Sequence, residues 1–363
     1  MTPLLPDRAQ SGVGECLPNR QPVGGSALMV PRRILLLVLG ASLLAVAVEA
    51  HPQQPPNAQS GITFIQQGQQ LIREGSLPDA LSLYRTVLKT LPNSLPAHDA
   101  AGTVLDLMGK GEEARTHFQK ALDLAANEQE RANAARAMAM SWAFSGNCDQ
   151  TVTYQQKALG YYIARKDFYQ QSELAGEAAR VCLDNGALDT AFQWYLTAHD
   201  LGLKQPEIPA TRKNVLEFRW ESAQARVAAR KGNQTEADRH VAAAMAMLEK
   251  DEALARTETM SARALEGYVA LYEGYYDAAL AQLGKANPDD ASIQYLMGES
   301  CERLGQQKIA LERFTRAAAA TAHDASVAYA RPGAIRKLAA GKGQGRTVGY
   351  RASDAGRGGH HAA

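Results

Sequence analysis

The sequence predicts an all-α protein of stacked helical hairpins, and three observations predict it. The stretch Gly102 to Leu124 reads as two helical halves about Gly109, six other stretches repeat its spacing, and the alanine-rich composition carries only 6% aromatic residues. Within this unit small residues stand seven before the glycine (Gly102) and five after it (Ala114), with Phe118 nine after and Ala121 twelve after. Small side chains let two helices approach closely. Phe118 and Leu122 fall one turn apart on a buried face, while Glu112, Glu113 and Lys120 supply a polar one. Alanine has the highest helix propensity and takes little room, so composition and pattern agree. One such hairpin has too little area to stand alone.

The same offsets recur about Gly75, Gly146, Gly186, Gly232, Gly274 and Gly305, at successive spacings of 34, 37, 40, 46, 42 and 31 residues. Seven before each glycine stand Gly68, Gly102, Ala139, Ala179, Ala225, Gly267 and Gly298; five after stand Ala80, Ala114, Thr151, Ala191, Ala237, Ala279 and Ala310. The slot nine after is aromatic at Tyr84, Phe118, Tyr195 and Phe314. On these residues and the initial 34-residue period, the chain resembles the tetratricopeptide-repeat (TPR) family over roughly residues 61–324. The resemblance implies a right-handed superhelical α-solenoid of about seven hairpins, whose first helices line a concave groove that holds protein or peptide partners. Departures are Gln155 in the third unit's aromatic slot, a closing proline largely confined to Pro92, and extra residues between the middle units.

In chain order, residues 1–28 carry Pro and Gly throughout with no period, and read as disordered or as an upstream extension that is not translated. Met29 then opens a basic pair (Arg32, Arg33), a 15-residue apolar run from Ile34 to Val48, and Ala50 before His51. That is the layout of a signal peptide over 29–50 cleaved between Ala50 and His51, and it favours Met29 over Met1 as the start. The run is shorter than the roughly 18 residues of a spanning helix. No cysteine follows it to take a lipid, so an exported, periplasmic or secreted chain without a membrane span is expected. Residues 51–60 form a Pro/Gln-rich linker. Pro78 stands near the start of a second helix, where its missing N–H costs little. The two prolines of LKQPEIPATRKN, from Leu203 to Asn214, mark the widest interruption and read as a tolerated insertion. Residues 325–340 suit a short capping helix, broken near Pro332, that covers the last hairpin's apolar face. The Gly-rich basic tail over 341–363 is expected to be disordered.

A net charge of +1 indicates no general attraction to nucleic acid. No phosphate loop, dinucleotide fingerprint, nucleophile elbow or HExxH helix occurs, and the paired acids Glu112 with Glu113 and Asp289 with Asp290 read as helix starts that favour the dipole. His98, His117, His199, His240 and His323 are scattered between units without ligand spacing. No catalytic residue, metal or cofactor is therefore assigned. The favoured reading is an exported, non-catalytic scaffold of unknown oligomeric state. Against it stands an enzyme or enzyme subunit of the cell envelope, metal-dependent through His51 or through His360 and His361 of the tail.

Cys148 opens the second helix of the third unit and Cys182 lies near the end of the next first helix, ends that adjacent antiparallel helices bring together. A disulfide between them stands against the alternative that each is a small buried hydrophobe. Cys301 has no candidate partner and is expected to be buried. Carried over from the resemblance, the groove columns place Arg136, Arg180, Arg226 and Arg230 as a basic strip followed by Tyr268, Tyr272 and Tyr295. The strip suits an acidic or carboxylate-bearing extended segment whose apolar part packs on the tyrosines. The alternative is an ordinary mixed surface with arginine stems lying over alanines. The Lys/Asn carboxylate clamp of chaperone-binding TPR domains is not reproduced.

Overall fold

The computed structural model describes the backbone of residues 58–353 and the side chains of residues 63–341. The upstream extension (1–28), the signal segment with its cleavage point at Ala50 and His51, most of the linker and the final ten residues lie outside the described residues. Fifteen helices and no strand occur among the described residues. Fourteen form seven hairpins: α1 (Ala58–Arg73) with α2 (Leu77–Thr90), α3 (Leu95–Leu107) with α4 (Gly111–Leu124), and α5 (Glu128–Phe144) with α6 (Cys148–Ala164). Then come α7 (Phe168–Asp184) with α8 (Leu188–Leu203), α9 (Ala210–Arg230) with α10 (Gln234–Lys250), α11 (Glu252–Tyr272) with α12 (Tyr276–Leu283), and α13 (Ala291–Arg303) with α14 (Gln307–Ala319). Each hairpin packs on the next, the stacking of an α-solenoid.

The seven glycines read from the sequence are the seven with positive φ among the described residues, between 68° and 86°, and each second helix starts two residues after its glycine. In every one of these turns the amide after the glycine returns to the carbonyl five residues back, as Lys110 N does to Leu105 O at 2.8 Å. This is the Schellman closure, which satisfies carbonyls at the helix end and needs the left-handed conformation that glycine adopts without strain. The turn from α6 to α7 closes the same way on Lys166 (φ 53°), a non-glycine in that conformation. Most first helices start on a side-chain cap: Ser94, Asn127, Asp167, Asp251 and Asp290 each accept from an amide of the first turn. The acids at hairpin turns thus start helices, with Glu112 and Glu113 in the first turn of α4.

Within the hairpins the small residues face bulky ones at contact distance. A Cβ on Gly102 would stand 2.7 Å from the Phe118 ring, and one on Gly298 2.5 Å from Phe314. Where glycine occupies the inner small position, the opposing slot holds Tyr84, Phe118, Leu283 or Phe314; two of the alanine units carry Gln155 and Val241 there, while Tyr195 faces Ala179 as the exception. Thr151 keeps to the small set by donating its Oγ1 to Ala139 O across the hairpin at 3.2 Å. Cys148 and Cys182 are bonded to each other, with Cα atoms 4.8 Å apart, joining α6 to α7. Cys301 is fully buried and is not a free thiol, so the expectation of an unpartnered third cysteine is corrected.

The fifteenth helix departs from expectation. α15 (Ala325–Ser353) runs unbroken through Pro332 and continues past 340, where a tail was expected. It covers α14 as a cap should, but it also packs on the first helices α5, α7 and α13. Its Ala328 joins Met140, Ala143 and Val181 in one apolar cluster, and Tyr329 meets Tyr295 edge-on with ring centroids 5.2 Å apart. A Cβ at Gly333 would stand 2.8 Å from the Tyr295 ring. Tyr329 and Gly333 thus clamp the helix on both sides of Pro332, and that packing offsets the loss of one helical hydrogen bond. Just before α15, His323 donates Nε2–H to Asp106 Oδ2 (2.9 Å) and stacks on Phe144. Arg331 donates Nε to Leu107 O at 2.8 Å and Nη1 to Ala318 O and Ala320 O. One guanidinium therefore holds the carbonyl ends of α3 and α14, the negative poles of two helices. Burial pulls its pKa below the ordinary arginine value.

Candidate functional site: the inner face

Helix α15 divides the inner face in two. Its N-terminal half covers the C-terminal ends of α3, α5 and α7 and the middle of α13, leaving beneath it a cavity of about 540 Å³ whose lining includes Phe144, Asp184, Tyr295, Tyr329 and Arg331. Beyond Ala325 the face is open across α7, α9, α11 and α13. Two adjoining cavities of about 370 and 330 Å³ lie there and share Arg180, Arg226 and Ser261.

The structure brings the expected arginines and tyrosines together, but mostly as interior packing. Tyr268 is 3% exposed and Tyr295 8%, so both belong to the core, which corrects the expectation that they stand free in a groove. Tyr295 lies under α15, and Tyr268 and Tyr272 pack ring to ring at 4.7 Å. Arg230 donates to the Tyr268 hydroxyl at 3.4 Å with its Cζ 4.8 Å from the Tyr272 ring, and Arg226 Cζ lies 5.8 Å from Tyr268. Burial pushes the Tyr268 and Tyr295 phenols above their ordinary value, keeping them neutral.

All four arginines already have engagements. Arg136 on α5 forms an ion pair with Glu177 on α7, which also accepts from Gln155 Nε2 at 2.9 Å. The polar residue in an aromatic slot is therefore explained: Gln155 is buried and helps hold Glu177. Arg180 donates Nε to Asp184 Oδ2 at 2.8 Å, one turn on. Burial raises the Asp184 carboxyl against the opposing pull of Arg180. Arg226 differs. It makes no close ion pair with a carboxylate among the described residues; its guanidinium pairs with the Tyr195 hydroxyl and acts on Asp184 from a distance.

Sequence spacing missed other polar contacts, because the partners lie on different helices. His98 and His117 meet Nδ1 to Nδ1 at 3.0 Å, and His199 Nε2 lies 3.2 Å from Glu217 while its ring stacks on Trp220. Only the hairpin offset of 19, the distance between facing positions of paired helices, could have signalled the first. Burial, then His98, hold the His117 pKa below the ordinary value. No group of three or more His, Cys, Asp or Glu suited to a metal occurs among the described residues. No helix among them is long and apolar enough to cross a membrane.

Seven hairpins, each closed on a left-handed glycine with small residues seven before and five after it, make up the array. The fold is of the tetratricopeptide-repeat type. Among solved structures the chain is similar to a tetratricopeptide repeat protein from Parabacteroides merdae, at 15% identity over 77% of this chain and 98% of that one, with a TM-score of 0.45. It is similar also to a Rap protein complexed with competence and sporulation factor (13% identity, 79% and 99% covered, TM-score 0.39). A third is the P58(IPK) TPR domain (15%, 77% and 98%, 0.28). No protein-family model and no curated protein matches the chain. The TPR array here differs from an open groove in that its own last helix lies within it.

Proposed function

We propose that the protein is an exported, non-catalytic scaffold that binds a segment of a partner protein along the stretch of inner face that α15 leaves open. One observation carries the reading: α7, α9, α11 and α13 frame two cavities that share Arg180 and Arg226, on first helices that extend to 21 residues in α9 and α11. Rigid helices presenting side chains to a concave surface suit capture of a segment rather than chemistry on it. The polar groups there are engaged with one another, Arg219 and Arg212 on Glu173 and His199 on Glu217. Arg32, Arg33, the apolar run and Ala50 support export, as does a disulfide between Cys148 and Cys182.

The test is photocrosslinking in native envelopes from position 261, with Lys120, in the second helix of the second unit, as the control site. A partner crosslinked at 261 and not at 120 is the expected result. Equal labelling from both positions, or a chain isolated from the cytoplasm with its apolar segment intact, overturns it.

A further inference from the structure

Away from the open stretch of inner face, the second hairpin brings two histidines together. His98, in the first turn of α3, and His117, in the middle of α4, meet Nδ1 to Nδ1 at 3.0 Å, with ring centroids 5.2 Å apart and planes tilted by 43°. The backbone decides which nitrogens can bind. Pro92 O, in the loop between α2 and α3, lies 3.0 Å from His98 Nε2 and can only accept, so neutral His98 carries its proton on Nε2 and bares the Nδ1 lone pair. A carbonyl on the far nitrogen is the arrangement that orients a metal-ligating imidazole. His117 then donates Nδ1–H to His98, and a shift of that proton to its own Nε2 bares the second Nδ1 beside the first. We infer that His98 and His117 chelate a divalent transition-metal ion through their Nδ1 atoms, copper(II) in preference to nickel(II) or zinc(II), and that the ion clamps α3 to α4.

The spacing selects the ion. Two nitrogens 3.0 Å apart, each about 2.0–2.1 Å from a shared ion, subtend about 95° at it. That is close to the right angle between neighbouring positions of a tetragonal or octahedral ion, and narrower than a tetrahedral one. Copper(II) takes tetragonal nitrogen and oxygen ligands and heads the affinity order of the divalent ions. Charge is met from the same helix. Glu113 stands one turn before His117, close enough to act on it electrostatically, and pairs with Arg85 of α2. Both members of that pair are largely exposed, and exposed pairs are weak, so Glu113 can turn from Arg85 toward the ion. Two imidazoles are thus in place, and the carboxylate follows on binding.

Calorimetric titration of the full chain with copper(II), nickel(II) and zinc(II) chlorides tests this. The sequence holds further histidines, 51, 360 and 361 among them, so the site is counted by difference. His98→Gln, His117→Gln and the double variant should each lose the same single equivalent of copper(II). His199→Gln, whose ring is engaged by Glu217 and Trp220, should lose none. Glu113→Gln should weaken that equivalent about 10-fold, and Arg85→Gln, which releases Glu113, should tighten it. Copper(II) should also raise the unfolding midpoint of the wild type more than that of the double variant, which adsorption to scattered surface groups would not do. Titrations that do not distinguish wild type from the histidine variants mean adventitious copper only and overturn the inference. So do a second equivalent lost in the double variant, or zinc(II) bound more tightly than copper(II). These substitutions lie outside the face proposed to hold a partner, so neither outcome bears on crosslinking from position 261.

Discussion

The two halves of the inner face are built from the same first-helix positions and are used in opposite ways. Under α15, Met140, Val181 and Tyr295 are core residues, and polar atoms such as Leu107 O are satisfied by the covering helix. Beyond Ala325, first-helix positions present Arg180 and Arg226 to the open cavities. A solenoid position does not say whether it faces solvent, a partner or the chain itself; what covers it decides. Helix α7 is the boundary, with Val181 under α15, Arg180 in the open cavity and Cys182 bonded to α6.

The largest expected effect is at that boundary. Replacing Cys148 and Cys182 by alanine frees a loop of 34 residues, for which chain-entropy reasoning gives a loss of about 3–4 kcal/mol. Urea unfolding of the oxidised wild type beside the double variant measures it; coincident curves would remove the disulfide from the account. Next comes the direct contrast of halves: Tyr295→Ala should cost about 3 kcal/mol as a core truncation, Arg226→Ala under about 1 kcal/mol. Similar losses from both would erase the distinction between covered and open faces. Arg331→Ala, which strips the carbonyls of Leu107, Ala318 and Ala320 of their charged donor, should cost about 2 kcal/mol and speed hydrogen exchange at the end of α3 as well as in α15. Exchange changed in α15 alone would mean that the two ends are not coupled. The last effect has the opposite sign. Lys166→Gly relieves a left-handed non-glycine turn and should stabilise by about 1 kcal/mol.

Stability should also depend on pH through His117. Its pKa is depressed on folding, so the unfolded chain takes up the proton first, and stability falls as pH drops below about 6.5 toward the folded value. Unfolding midpoints from pH 8 to 5 should show this slope, and His117→Gln should flatten it.

The hairpins were legible because their determinants are local: a left-handed glycine, small residues on fixed offsets and a bulky partner nine positions on all lie within one unit. Asp290 read as a helix start for the same reason. The path of α15 was not legible. Arg331 of α15 and His323 just before it reach Leu107 and Asp106 across more than two hundred residues, and these contacts follow from the curvature accumulated over six hairpins rather than from any residue near Pro332. The tyrosine column failed with it, since Tyr295 is apolar enough for either fate and α15 settles which. Gln155 looked like a defect in the repeat because its reason, Glu177, lies on the next unit.

The closure by Arg331 also has a meaning in time. α15 follows all fourteen array helices in chain order, so the array is made before its cover, and without that cover Met140, Val181 and Tyr295 lose the side chains packed on them. A chain stopped before Ala325 should therefore bind a hydrophobic dye that the full chain does not.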